Sequence, residues 1–506
     1  MRIPHINLLL FMSVLLGKDA LYPQQPLRFN HQVLLLQGEV LEVFPQDFNG
    51  DGALDILVQH NQSNYPNPHI DRFLSIFLQE DGDFPEHPNQ TITANRGEIL
   101  FDIGDIDGNN LPELLFLRED GVYARKFTTT GYTRTLYSIL KTPSVFLSHD
   151  PSKLRRYPFI DDFDKNGVPD LLIPHPHELR IYSRTHTENY TLTKRLWYSP
   201  EFTLSTQEET TLSLYLPSLH IGDFNGDAIP DLLIPAGDRL DVYLQHPTVK
   251  TEQHEGLIPP NLRYRMGARA VSPSLLDQIA PASVTLDVRD LNGDGYVDVL
   301  LSKASRGSFT KSISQIQIYI NKSGRFDLLP DQVLTAENFG GEHIIRDFNQ
   351  DSLLDLALLT FKIGFAQAAK FLITKKAGST YDVYLMRQNH TYPSKPDGRI
   401  SFSRKVNIND LFSSTFCQSF EGDFNSDGLQ DLLIGSDSNE LSIILGQSQG
   451  FFSHKAAHKI NAPISSHLWV GNLNRDGFSD IILWYPQNPL LSRQVLLIQS
   501  KQGDPP

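Results

Sequence analysis

One nine-residue pattern recurs eight times along this chain, and the recurrence limits the fold more than any other feature. The copies are DFNGDGALD from Asp47, DIDGNNLPE from Asp105, DFDKNGVPD from Asp162, DFNGDAIPD from Asp223, DLNGDGYVD from Asp290, DFNQDSLLD from Asp347, DFNSDGLQD from Asp423 and NLNRDGFSD from Asn472. Their starts lie 49 to 76 residues apart. A period in that range marks an array of one supersecondary unit. A single copy is ambiguous, because Asn-Gly and Asp-Gly are also the strongest hairpin signals. Oxygen-bearing side chains at the first, third, fifth and ninth positions of every copy point instead to metal loops.

Each loop is followed by an apolar run, such as LLI at 432–434, and then by a segment that alternates and turns at glycine. In the seventh unit FCQSFEG enters the loop, LLIG follows as a fully buried strand, ELSIILGQSQGFF alternates and turns, and SHKAAHKI closes the unit. The same Gly-x-aromatic turn stands in FLSIFLQEDGDF (73–84) and IQIYINKSGRF (316–326). Four antiparallel strands in about sixty residues, with no competing helical period, predict one blade of a β-propeller per unit. The expected fold is all-β: a single propeller of eight four-stranded blades, or of seven if one motif sits in an atypical unit. After the eighth loop only IILWYP and RQVLLIQSKQG remain, one strand short of a blade. LRFNHQVLLL (27–36) precedes the first inner strand EVLEVF. This N-terminal strand is expected to complete the last blade and remove a free sheet edge.

These loops, the apolar strand after each and the Gly-x-Phe turns resemble the FG-GAP/VCBS repeat family, the propeller repeats of integrin α-subunits and many exported bacterial proteins. The resemblance covers nearly all of the chain after its leader. It implies the fold closely and the function only broadly, since such repeats occur in adhesion receptors, lectin-like modules and some polysaccharide lyases.

Calcium is a hard cation that takes six to eight oxygens at about 2.3–2.6 Å. In the first loop Asp47, Asn49, Asp51 and Asp55 offer side-chain oxygen and Ala53 its carbonyl. The second offers Asp105, Asp107, Asn109 and Glu113, and the third Asp162, Asp164, Asn166 and Asp170. The fourth offers Asp223, Asn225, Asp227 and Asp231, and the fifth Asp290, Asn292, Asp294 and Asp298. Asp347, Asn349, Asp351 and Asp355 form the sixth set, Asp423, Asn425, Asp427 and Asp431 the seventh, and Asn472, Asn474, Asp476 and Asp480 the eighth. An EF-hand would need a Glu at the twelfth position and a following helix, whereas here the last ligand is ninth and a strand follows. Up to eight Ca²⁺ ions are therefore expected. Carboxylates this close repel by up to roughly 4 kcal/mol per pair at an effective dielectric near 20, which a cation relieves. The sixth position calls for a left-handed backbone, which glycine accepts and Asn110 tolerates but Ala228 and Ser352 do not. The loops from Asp223 and Asp347 are expected to be weaker or distorted, and the loop from Asn472 weaker through missing charge.

More than a third of the 59 acidic residues lie in these loops, and eight divalent ions would cancel the formal charge of -15. That acidity excludes nucleic acid as a partner, which needs clustered Lys and Arg. One cysteine, Cys417, leaves no intramolecular disulfide or Cys-based zinc site and reads as a small apolar residue in a strand. Residues 1–20 read as a signal peptide, with Arg2 before an apolar run too short to cross a bilayer, and 21–506 as the propeller. No later run approaches the roughly 20 apolar residues of a spanning helix. The mature chain is expected to be secreted, periplasmic or at the cell surface.

No P-loop or H-E-x-x-H helix is present. The expected function is a non-enzymatic binding or adhesion module for a protein or carbohydrate. The alternatives are a polysaccharide lyase-like enzyme, which the resemblance allows, and a purely structural scaffold. Two long intervals, 256–281 and 386–399, carry Arg263, Tyr264, Arg265, Arg269, His390 and Tyr392, which suit a sugar or acidic ligand but read better as solvated loops. HPHE (175–178) reads as surface histidines and KLRRYP (153–158) as a solvated strand end. Sequons begin at Asn61, Asn89, Asn189, Asn321 and Asn389.

Overall fold

The apolar run after each acidic loop becomes the second strand of a sheet and is covered on both faces, which is why it lacks alternation. Ile56, Leu57 and Val58 in Asp55–Ser63 and Ile481, Ile482 and Leu483 in Asp480–Trp484 are fully buried. The computed structural model describes residues 27–63, 70–128, 131–143, 154–184, 189–205, 211–245, 256–266, 283–305, 313–337, 339–361, 373–374, 376–405, 417–437, 439–448, 451–453, 455–486 and 488–502.

Eight antiparallel sheets follow one another in chain order, each starting with the strand that enters an acidic loop. Blade 1 is built from Glu39–Gln46, Asp55–Ser63, Ile70–Phe77 and Gln90–Ala94. Blades 2 to 7 span 98–141, 160–197, 220–265, 283–337, 339–405 and 418–461. Blade 8 takes His467–Gly471, Asp480–Trp484 and Gln494–Gln502 from the C-terminal end and Leu27–Leu35 from the N-terminal end. The last two strands pair antiparallel from Leu27↔Gln502 to Leu35↔Gln494. The expected closure is thus present.

Packing closes the ring. Each hydrophobic cluster lies between consecutive blades, and eight of them complete the circuit. The cluster between blades 8 and 1 joins Leu34, Val495 and Leu497 to Val40, Ile56 and Phe77. A count of seven blades is excluded by the same circuit. Blade 2 departs from four strands: Arg155–Arg156 pairs parallel with its inner strand Glu98–Gly104.

Three buried aromatics, Phe84 of a Gly-x-aromatic turn among them, act between blades. Phe84, Tyr132 and Tyr392 are buried, and each exchanges two hydrogen bonds with a glutamine amide on the outer strand of the preceding blade: Gln32, Gln90 and Gln332. Tyr392 is therefore a packing residue, which corrects its reading as part of a solvated loop. KLRRYP is likewise only half solvated, for Arg155 and Arg156 are exposed while Tyr157 is buried with its hydroxyl donating to Pro217 O at 2.9 Å.

Leu34 and its neighbour Val33 separate the two faces of the closing strand, one fully buried and one exposed. Leu34→Ala should destabilise the fold by about 2–4 kcal/mol, read as a lower denaturant midpoint. Val33→Ala should cost no more than about 0.5 kcal/mol. Equal small effects would mean that the N-terminal strand contributes little to closure.

Candidate metal centres

Every acidic loop is built around its ninth residue. Asp55, Glu113, Asp170, Asp231, Asp298, Asp355, Asp431 and Asp480 are all fully buried. In all eight loops one oxygen of that carboxylate accepts the backbone N–H of the second loop residue, at 2.7–3.1 Å. The second residue is Phe, Ile or Leu in each copy and is buried between blades. This apolar anchor explains why the loop closes on itself, and its signal stands in the sequence at a position that ligand spacing alone ignores. In six loops the other oxygen accepts an N–H from just after the third strand (Gln79, Gln245, Asn321, Met386 or Gly446) or, in blade 8, from Ser500 within it.

The rest of each loop is wound by Asx-type turns. The seventh residue's N–H reaches the fifth residue's side-chain oxygen in every copy, Ala53 to Asp51 at 2.7 Å among them. Two backbone positions are left-handed throughout: the sixth, as expected, and also the fourth. Ala228 (φ 64°) and Ser352 (φ 69°) adopt the sixth-position conformation despite their Cβ, while Lys165, Gln350, Ser426 and Arg475 do so at the fourth.

Six of the loops, the fourth to the eighth and the first, are joined in series by hydrogen bonds. Leu54 N donates to Leu473 O, Val297 N to Asp223 O, Leu354 N to Leu291 O and Ser479 N to Asp423 O. Gln350 reaches Gly428 O in the next loop, and Arg475 of the eighth loop lies 3.4 Å from Asp51 O of the first. The eighth-position carbonyl is also taken up: by the hydroxyl of Tyr132, Tyr190 or Tyr392 in three blades, and by the amide of Gln79, Gln245 or Asn321 in three others. Asn321 is buried in this role, so its sequon is closed.

The loops fall into two electrostatic classes. Six place Asn third and Asp fifth, and there the amide of Asn49, Asn225, Asn292, Asn349, Asn425 or Asn474 donates to the fifth-position carboxylate. The second and third loops invert the order. Only these, among the described residues, bring three carboxylates within 4.8 Å: Asp105, Asp107 and Glu113, and Asp162, Asp164 and Asp170. Glu113 Oε1 is buried without a hydrogen-bond partner. An oxygen-only donor set with an orphaned buried oxygen fits a hard divalent cation. In the second loop Lys126 Nζ already lies 2.7 Å from Asp107.

Burial drives all eight ninth-position carboxylates upward. Asp55 and Asp231 are pushed up to about 6, and Glu113, Asp170, Asp298, Asp355, Asp431 and Asp480 to about 7. Backbone N–H groups oppose the rise; in all eight loops a neighbouring loop Asp adds to it.

The other sequence candidates do not assemble into one site. Arg263 pairs with buried Asp241 at 2.7 Å on blade 4's outer strand, beside Tyr264 and Arg265, whereas Arg269 lies outside the described residues. His390 bonds Asn292 of the fifth loop at 3.2 Å. His175 corrects the surface reading of HPHE: it is buried, with neither ring nitrogen partnered. Cys417 is buried just before a strand, as a small apolar residue would be. The inner strands of blades 5 and 6 instead bring together Asp287, Arg289 and His343, with His343 Nε2 2.6 Å from Asp287. Sequence patterning does not reveal this group, since its members lie 56 residues apart.

Fold and loops together define an eight-bladed β-propeller with an acidic loop between the first two strands of each blade. A model described as "FG-GAP-like repeat" matches residues 47–116, 290–358 and 423–483, each running from a loop's first residue to the next blade's second strand. The chain is thus an eight-bladed propeller that carries FG-GAP-like repeats in these three stretches. No curated protein matches it. Among solved structures, a lectin of Agrocybe aegerita that recognises non-reducing terminal N-acetylglucosamine is 13% identical, covering 87% of this chain and 98% of its own, at TM-score 0.41. The biofilm matrix protein Bap1 of V. cholerae is 12% identical, covering 96% and 90%, at TM-score 0.31.

Ala228 sits left-handed and exposed, so Ala228→Gly should raise stability by about 1 kcal/mol, measured by denaturant unfolding. A decrease would mean that the loop carries no backbone strain. The raised carboxylates also set a pH trend. Without added cation the native chain binds more protons than the unfolded chain between about pH 4 and 7, so stability falls as pH rises through that window. In chelator the melting temperature should therefore drop from pH 5 to 7.5, and a rise would contradict the burial argument.

Proposed function

We propose that this chain is exported through a leader at 1–20 and that residues 21–506 form a calcium-stabilised, non-enzymatic binding module for a protein or carbohydrate partner. The supporting observation is the ring of eight fully buried carboxylates, none hydrogen-bonded to a cationic side chain among the described residues. Calcium would be held by the first, third, fifth and ninth side chains of each loop. When bound it supplies the positive charge that keeps those carboxylates ionised at neutral pH. The chain's own part is rigidity: the apolar second residue, the Asx turns and the loop-to-loop hydrogen bonds fix one face of the propeller. Partner recognition is left to the remaining surface, where loops on a stiff scaffold make good binding sites.

Binding several ions to the native state alone should raise the melting temperature steeply with free Ca²⁺. Excess EDTA should lower it, and Asp294→Ala should remove one ion from the measured stoichiometry without unfolding the chain. A glycan array probed in Ca²⁺ should give signals that disappear in EDTA. An unchanged melting curve in chelator would show that the loops are ordinary turns, and a blank array would remove the carbohydrate half of the proposal.

A further inference from the structure

The junction of blades 8 and 1 encloses a cavity of about 640 Å³, within the range of small-molecule sites. Leu35, Leu36 and Pro88 give it an apolar wall, with Leu490 exposed at its edge. Its polar side has an ordered direction. His60 is buried, its Nε2 lies 2.9 Å from Ser75 Oγ, and Ser75 Oγ lies 2.8 Å from Thr91 Oγ1. His60 Nδ1 is buried without a partner. An orphaned buried N–H is rarer and costlier than an orphaned lone pair, so the proton belongs on Nε2. His60 then donates to Ser75 and Ser75 to Thr91, leaving the exposed Thr91 hydroxyl to donate into the cavity. Burial keeps the imidazole neutral, with its pKa lowered to about 4. Arg493, also exposed, lines the cavity and makes no ion pair among the described residues, and His87 stands on the rim.

We infer that this cavity binds an acidic sugar of one or two rings, its carboxylate on Arg493, a ring oxygen on Thr91 and its C–H face on the leucines. Donors on one side and an apolar wall on the other suit an oxygen-rich ring, and the unpaired guanidinium selects for negative charge. The inference rests on the reading of this chain as a binding module and names the site and ligand class for it.

The test is calorimetric titration of the whole chain in Ca²⁺ with glucuronate, galacturonate and N-acetylneuraminate, and with glucose as the neutral counterpart. At least one acid should bind about tenfold more tightly than glucose. Arg493→Ala should weaken that binding about tenfold and Thr91→Val about threefold, the losses expected for one charged and one neutral hydrogen bond. Thr91→Ser, which keeps the hydroxyl, should bind as the natural chain does, and melting curves of Thr91→Ser and Arg493→Ala should match it. No binding by any acid, equal binding of glucose, or full binding by Arg493→Ala would overturn the inference. Glycan-array signals that persist in Arg493→Ala would keep the binding-module reading while placing the ligand elsewhere.

Discussion

A carboxylate removed from water must be met by N–H donors or by a cation, and this propeller buries one at the same place in all eight blades. Two consequences follow from that single constraint. The N–H donors come from the apolar second residue of the loop and, in six blades, from the third strand or just after it, so each buried acid ties three parts of its blade together. Those bonds lower the cost of burial without removing it, which is why the acids remain raised to about 6 or 7. The repeat therefore carries a built-in demand for positive charge at the base of every blade.

Closure depends on a different interaction with the same logic. A ring of blades has no free core edge only if the last sheet is finished, and here the finishing strand comes from the other end of the chain. Leu34 places that strand in the same cluster as Val40 and Ile56, so the joint is sealed by apolar contact as well as by ladder hydrogen bonds. The Gln32–Phe84 exchange repeats across this joint what Gln90–Tyr132 does between blades 1 and 2. The junction of blades 8 and 1 is thus built like the others, with the chain passing from outer strand Leu27–Leu35 to inner strand Glu39–Gln46, and the two chain ends meet within blade 8 instead.

Blade number, loop positions and closure were legible because each rests on a pattern that recurs: oxygen spacing, apolar runs and a strand count one short. What recurs without obvious chemistry was harder to read. The second-position Phe, Ile or Leu carries no ligand oxygen to draw notice, and the fourth-position left-handed residue was hidden because Lys165, Gln350, Ser426 and Arg475 occupy it beside four glycines. Tyr392 looked like a loop aromatic because its partner Gln332 lies 60 residues away. His175 looked exposed because its polarity was read without the strands that cover it. Contacts made across blades leave no local spacing to find, and the Asp287–His343 pair is of that kind.

The eight loops share a backbone but not an electrostatic state. Exchanging Asn and Asp between the third and fifth positions leaves formal charge unchanged, yet it decides whether an amide or a third carboxylate faces the buried acid. In six loops the amide of the third residue satisfies the fifth carboxylate internally, so part of the repulsion is already spent within the turn. In the second and third loops no such amide intervenes, and in the second a buried oxygen of Glu113 is left without a partner. The second loop offsets part of its excess with Lys126, paired to Asp107, and the third with Lys194, which lies over the Phe163 ring within electrostatic reach of Asp164 and Asp170. A copy with three converging carboxylates and no internal donor is under the strongest electrostatic pull toward a cation. On this argument the electrostatic demand for a cation follows the Asn/Asp order of each loop rather than its total charge, with the second and third loops above the other six.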